Sequence, residues 1–147
     1  MNDKYWDADS VVPGAGGGPV RLLDEPLSFW GGYDADAGRI VEARHPQYGA
    51  TLAGATLLMA RAKGSSSSSS VLAEAIRNGT GPAAIVMRER DLIVALGCIV
   101  ASELYAAQVP IVTVDAETWR CLGALPPDAR LRVEANEENG RIYASTN

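Results

Sequence analysis

From Val20 onward the apolar positions of this chain fall into short blocks separated by glycine, proline and aspartate. Val20, Leu22, Leu23, Leu27, Phe29 and Trp30 are apolar with Pro26 as a break, which predicts a pair of short strands ending by Gly31. Tyr33–Gly38 (YDADAG) predicts a turn, because aspartate and glycine tolerate tight backbone geometry. Arg39–Ala43 alternates polar and apolar and predicts a third strand, completing a hairpin or small meander. Three continuous apolar runs of strand length follow: Ala55–Ala60 (ATLLMA), Ala83–Met87 (AAIVM) and Pro110–Val114 (PIVTV). Such runs predict strands buried on both faces. Between the first two, Val71–Arg77 predicts a short helix stopped by Asn78-Gly79. Between the second and third, Leu92–Ala107 predicts the longest helix, with Ile93, Leu96, Ile99, Val100 and Leu104 near one face. A short helix over Glu117–Leu122 and a closing hairpin of Leu131–Val133 and Arg141–Tyr143 around Asn139-Gly140 complete the pattern.

The middle of the chain thus reads strand, helix, strand, helix, strand, and right-handed crossovers make that sheet parallel. With β-rich flanks, the fold class is α/β, a compact β/β/α sandwich or barrel. Residues 1–19 show no periodicity and contain Gly14-Ala15-Gly16-Gly17-Gly18-Pro19, which reads as a flexible tail. Residues 20–147 then form a single domain, as suits a chain of 147 residues.

Composition narrows the function classes. Hydrophobic residues make up 47%, an ordinary globular share. Thirteen basic against eighteen acidic side chains give a net charge of −5, with no lysine/arginine run, which argues against nucleic acid as a partner. The longest apolar run, Leu92–Val100, is far too short to span a membrane, and the polar, acidic start Met1–Ser10 is no signal peptide. Cys98 and Cys121 match neither a metal knuckle nor a redox pair, so both read as buried free thiols, which fits a reducing cytoplasm.

The most unusual stretch is the serine run Ser65–Ser70. Serine-rich loops are commonly flexible connectors. This one is short and lies between a predicted strand and a predicted helix, where α/β sheets bind ligands against free N–H groups. One late serine, Ser70, is a candidate helix cap, and an earlier one a candidate for facing a ligand. Lys63-Gly64-Ser65 reverses the order of a phosphate-binding Gly-Lys-Ser. A serine acts as base or nucleophile only if a neighbouring group activates or stabilises it. His45 is the only histidine and reads as a solvated loop residue beside Pro46 rather than a triad member. Arg61 and Lys63 are either solvated cations or stabilisers of negative charge near the serines. Phe29-Trp30-Gly31-Gly32 is either a core anchor with a tight turn or a loop approaching a ligand or partner. No carboxylates gather with cysteine or histidine as a metal site.

An ordered series of short stretches resembles the small-subunit family of aconitase X. They are Pro26–Gly32 (PLSFWGG), Gly38-Arg39-Ile40, His45-Pro46, Leu52-Ala53-Gly54, Gly64-Ser65-Ser66 and Ser69-Ser70-Val71-Leu72. They continue as Ile76–Thr80, Pro82–Val86, Ala95-Leu96-Gly97 and Glu103-Leu104-Tyr105, so the resemblance covers about Pro26 to Val114. It implies a swivelling β/β/α domain of the aconitase superfamily, barrel-like with flanking helices. It also implies a hydro-lyase that removes water from a hydroxy acid and depends on a larger partner chain in a heterodimer. The family's metal, an iron–sulfur cluster or iron, is implied to reside on that partner, with no cofactor and no metal ligand in this chain. In the superfamily's Gly-Ser-Ser-Arg-Glu the first serine is the base; Gly64-Ser65-Ser66 aligns with Gly-Ser-Ser, making Ser65 the implied catalytic residue. Ser67 and Ser68 replace the Arg and Glu, which leaves Ser66 as a competitor. Gly64, Ser66, Lys63, Trp30 and Gly31 are the implied substrate-binding neighbours. The substrates familiar in the family are cis-3-hydroxy-L-proline, which the composition favours, and 5-phosphomevalonate, for which Arg61, Lys63, Arg77 and Arg88 are candidate phosphate contacts. A reading from another class is a non-catalytic, partner-binding domain.

Overall fold

The computed structural model describes residues 4–145. Seven strands form a closed barrel and two helices cover one side of it. The strands are β1 (Tyr5–Val12), β2 (Gly14–Leu23), β5 (Thr56–Met59), β6 (Ala84–Met87), β7 (Ile111–Thr113), β8 (Arg130–Ala135) and β9 (Asn139–Ser145). Around the barrel the order is β1-β7-β6-β5-β2-β8-β9, closed by antiparallel pairing of β1 with β9. The run β2-β5-β6-β7 is parallel and the remaining pairings are antiparallel. Closure leaves the barrel without free sheet edges. A two-stranded ribbon, β3 (Tyr33–Asp34) with β4 (Arg39–Ile40), projects from the β2–β5 connection.

The apolar runs form strands buried on both faces because each lies between two cores. Leu58, Val86 and Val112 point into the barrel, where they meet Leu131, Val133 and Ile142. Their neighbours Leu57, Met59, Ile85, Met87 and Ile111 point outward and pack beneath the helices. The period of two thus gives apolar residues at every position. Thr56 satisfies its buried hydroxyl inside this apolar setting by donating to the Leu131 carbonyl at 2.7 Å and accepting the Gly18 N–H at 3.1 Å.

Helix α2 (Ser68–Asn78) starts three residues before the predicted segment, so Ser70 lies inside its first turn rather than capping it. It ends as expected at Gly79, whose left-handed φ of 77° lets its N–H reach the last helical carbonyls. Helix α3 (Leu92–Tyr105) starts where predicted, ends two residues earlier at the left-handed Ala106, and buries a different face. Leu92, Leu96, Ile99 and Leu104 are exposed, Leu92 to 70%, whereas Val94, Ala95, Gly97, Cys98 and Ala101 are buried. The reason is the close approach of α2 to α3: a side chain at Gly97 would lie 3.0 Å from the Ser69 carbonyl and 3.1 Å from Leu72. Only small residues fit that contact, so the large aliphatics face away.

Three other expectations are corrected. Of residues 1–19, read as a flexible tail, 1–3 lie outside the described residues, and 5–19 are strand β1, Pro13 and the first part of β2, wall elements of the barrel. The glycines that suggested a linker are there because neighbouring backbones crowd β2: a Cβ at Gly16, Gly17 or Gly18 would fall 2.3, 2.4 or 2.0 Å from a carbonyl oxygen. The second strand predicted before Gly31 is instead a single irregular helical turn, α1 (Phe29–Gly32), because Gly31 adopts a φ of 79°. The last turn is made by Asn136, whose side chain accepts the N–H groups of Glu138 and Asn139, while Gly140 sits inside β9 opposite Ala135.

The cysteines differ from one another. Cys98 is buried and its thiol is pushed up to about 12 by burial, whereas Cys121 is exposed on α4 (Ala116–Gly123). A thiol reagent at neutral pH is therefore expected to modify Cys121 alone in the folded chain and both after denaturation, read by intact mass. The same burial sets a pH dependence. Stability is unaffected by Cys98 below the ordinary thiol value of 9.0 and falls between 9.0 and about 12, where only the unfolded chain releases the proton.

Candidate active site

The parallel strands β5, β6 and β7 all end on one side of the barrel, and the chain enters α2, α3 and α4 from there. In sheets of this kind the crevice beyond the carboxyl ends of the strands is the usual ligand site. A small pocket of about 110 Å³ lies there, lined by Phe29, Lys63, Gly64, Ser65, Ser68 and Ile93 together with Ala62, Asp91 and Val94. The N-terminal ends of α2 and α3 both border it. A larger open groove, about 1200 Å³, runs along β1 past Asp7, Asp9 and Asp115. It holds none of the serines, and among the described residues no three His, Cys, Asp or Glu side chains gather as a metal site.

Gly64 shapes the pocket. Its φ is 102°, a conformation glycine adopts freely, and a Cβ there would lie 2.1 Å from the Ser28 Oγ. The chain can therefore pass directly over Ser28 and present Ser65 to solvent. Ser65 Oγ accepts the Ser67 N–H at 3.1 Å, and Ser65 carbonyl accepts the Ser68 N–H at 3.0 Å. Ser69 N–H to Ser66 O and Ser70 N–H to Ser67 O continue this tight spacing, so the helix begins with a narrow turn rather than a side-chain cap. A hydroxyl oxygen that already accepts a backbone N–H at a helix N-terminus is in a setting that favours its anionic form. The exposed Ser65 is thus chemically better placed to accept a proton than a serine in a connector.

The other residues singled out in the sequence divide. Lys63 and Gly64 join Ser65 in the pocket wall, and Lys63 Nζ is paired with Glu42 at 3.1 Å. Ser66, Trp30 and Gly31 are exposed and do not line the pocket; Trp30 is 58% exposed while its neighbour Phe29 is buried against Tyr33. His45 is not the solvated loop residue expected. It is buried, its Nε2 lies 3.0 Å from the Glu25 carbonyl, and its Nδ1 accepts the Gln47 N–H at 3.0 Å. With Nδ1 an acceptor, Nε2 carries the proton toward Glu25, and neither nitrogen is left to activate a serine. Arg77 pairs with Glu74 and stacks over Tyr105, and Arg88 donates to the Val114 carbonyl at 2.6 Å. Arg61 and Arg90 are exposed and make no ion pair among the described residues.

The sequence assigned no role at the site to Ser28, to Ser68 within the serine run, or to Asp91. Asp91 caps α3, its Oδ1 accepting the Ile93 and Val94 N–H groups at 2.9 Å each. An aspartate just before the apolar run Leu92–Leu96 was a legible cap signal. Ser68 lies at the far end of the serine run and its burial depends on a tertiary contact with residues 28–30, for which the sequence carries no local mark.

The family model of the aconitase X swivel domain matches residues 5–142. The chain is similar to the cis-3-hydroxy-L-proline dehydratase of Pseudomonas aeruginosa, 40% identical over 117 residues, which cover 80% of this chain and 20% of that protein. It is also similar to the phosphomevalonate dehydratase small subunit of Methanothermobacter thermautotrophicus, 36% identical over 131 residues, covering 89% of this chain and 94% of that one. It thus spans about a fifth of the length of the first relative and nearly all of the second. Among solved structures, the crystal structure of the holo form of Thermococcus kodakaraensis aconitase X superposes with a TM-score of 0.75 at 29% identity, over 92% of this chain and 97% of that one.

Proposed function

The chain belongs to the aconitase X swivel-domain family, and on that footing we propose that it is the swivel subunit of a two-chain hydro-lyase in which Ser65 is the base. The observation that carries this reading is the placement of Ser65: on the pocket at the carboxyl ends of the parallel strands, with its Oγ held by the Ser67 N–H.

Elimination of water from a hydroxy acid requires removal of a proton beside a carboxylate. The C–H electron pair becomes the new C=C bond, the C–O bond breaks, and hydroxide leaves. Ser65 Oγ, reacting as its alkoxide, takes the proton and becomes the neutral hydroxyl, and the Ser67 N–H just before α2 stabilises the charge of that alkoxide. Lys63 contributes positive charge at the same wall, moderated by Glu42.

The described residues do not fit the family's iron or iron–sulfur group: Cys98 is buried, Cys121 lies alone on α4, and no acidic or histidine cluster joins either. The reading therefore assigns that group, and most of the substrate pocket, to a larger partner chain. Exposed Trp30 beside the serine loop, and exposed Leu92 next to the pocket residue Ile93, supply apolar contact area for that partner. The two free thiols suit a reducing cytoplasm.

The preferred substrate is cis-3-hydroxy-L-proline, following the relative at 40% identity. A phosphate-bearing hydroxy acid, 5-phosphomevalonate, is the second reading, favoured by Arg61 and Arg90, which make no ion pair among the described residues and lie just beyond the ends of β5 and β6. The test is anaerobic co-expression with the large aconitase X-type chain of the same genome, followed by assay of water loss from both compounds. Turnover of cis-3-hydroxy-L-proline is the expected result. Turnover of 5-phosphomevalonate alone transfers the assignment to the second reading. A stable complex inactive on both leaves the chain as a partner-binding domain.

A further inference from the structure

The serine loop is tied to the preceding segment at both of its ends. At the start, Lys63 N–H reaches the Leu27 carbonyl at 3.5 Å. At the finish, Ser68 Oγ accepts the Trp30 N–H at 3.0 Å and lies 3.5 Å from Ser28 Oγ. Ser28 Oγ also reaches the Trp30 carbonyl at 3.0 Å, so Trp30 is gripped through both of its backbone groups. Between the ties, Gly64 passes against Ser28 with no room for a Cβ. Ser65 lies on the span from 63 to 68, whose two attachments both run to the Leu27–Trp30 segment. Ser68 itself is buried and lines the same pocket.

We propose that Ser68 is a positioning residue for the reaction assigned to Ser65. By holding the Trp30 N–H it fixes the far end of the loop and with it the direction of Ser65 Oγ. The inference rests on the reading of Ser65 as the base. A serine serves here because its hydroxyl accepts from Trp30 while its own hydrogen remains available to Ser28, and because α2 begins tightly enough to bring the hydroxyl to that point. Without the tie, the loop keeps its Lys63 attachment and gains freedom at the Ser65 end. An orienting contact of this kind affects kcat, since misplacement of a reacting group by about 1 Å costs on the order of a hundredfold.

The test compares Ser68→Ala with the parent chain in two measurements. Amide hydrogen exchange on the full chain is expected to quicken at Trp30 and Ser67 by about tenfold, the effect of losing one hydrogen bond on local opening. In the complex with the large chain, kcat on cis-3-hydroxy-L-proline is expected to fall about 10- to 100-fold with KM within about twofold, and Ser68→Thr, which keeps the hydroxyl, to recover most of the loss. Should Ser68→Ala fail to fold, Ser28→Ala removes the hydroxyl contact to Ser68 Oγ and the bond to the Trp30 carbonyl at the same junction, and is expected to act in the same direction. Unchanged exchange at Trp30 and Ser67 overturns the proposal, as does unchanged kcat in a complex that Ser65→Ala inactivates. A rise in KM alone overturns it too, making Ser68 a substrate contact. If Ser65→Ala is itself silent, the base assignment falls separately, and the role of Ser68 in catalysis falls with it while the exchange data still report the tie.

Discussion

Ser65→Ala, assembled with its large partner, is expected to lose dehydratase turnover by about a thousandfold, the middle of the range for a positioned general base. Complex formation and thermal stability should be unchanged, because Ser65 is exposed and its hydroxyl only accepts the Ser67 N–H. Ser66→Ala in the same complex should retain turnover within about twofold. Ser66 is exposed and outside the pocket wall, and only its carbonyl is engaged, by Ser69. The pair of variants decides between the two serines that follow Gly64. A steady-state assay with size-exclusion analysis of each complex is sufficient. Equal loss in both variants would contradict the assignment to Ser65, and loss in Ser66→Ala alone would move the base by one residue. Silence in both would leave the chain as a non-catalytic partner of the larger subunit.

Gly18→Ala should destabilise the chain by about 3 kcal/mol or more, lowering Tm by roughly 10 °C. The added Cβ would sit 2.0 Å from the Gly54 carbonyl oxygen, a backbone atom that cannot swing aside. The same position bonds through its N–H to Thr56 Oγ1, so any shift of β2 also disturbs the buried hydroxyl that joins β2 to β8. Gly123→Ala is the matched control. Nothing lies within 4 Å of a Cβ there, and the residue ends a helix, where alanine is at least as favourable. Differential scanning calorimetry of the two variants separates the alternatives. A linker would tolerate both changes, whereas a barrel wall tolerates only the second.

The elements that the sequence revealed are those whose pattern is local. Ala55–Ala60, Ala83–Met87 and Pro110–Val114 became β5, β6 and β7, and Asn78-Gly79 stopped α2, because burial on two faces and a left-handed cap both leave direct marks in residue type. Where the reading failed, the deciding contact was remote in sequence. Gly14–Gly18 resembles a linker until the chain returns as β8 and as the Gly54 turn to press against it. The buried face of α3 could not be chosen from its own composition, since Leu96 and Ile99 are as apolar as Val94 and Cys98. Gly97 at the α2 contact settled the orientation. In the candidate site, Lys63, Gly64 and Ser65 came from one contiguous motif and were legible together. Ser68 became visible only when residues 28–30 folded over it, and His45 lost its apparent freedom in the same way, through Glu25 and Gln47.

The pairing that closes the barrel has a spatial consequence. Strands β1 and β9 run side by side, and the Ala144 N–H donates to the Lys4 carbonyl at 2.9 Å, so the first and last described strands meet in one seam of the wall. Around the ring, β5 lies three strands from β1 by way of β7 and β6, and three from β9 by way of β8 and β2. The strand that leads into the serine loop thus lies across the ring from the β1–β9 seam. A tag or label placed at the β1–β9 seam is therefore held on the opposite wall from the strand that leads into Ser65.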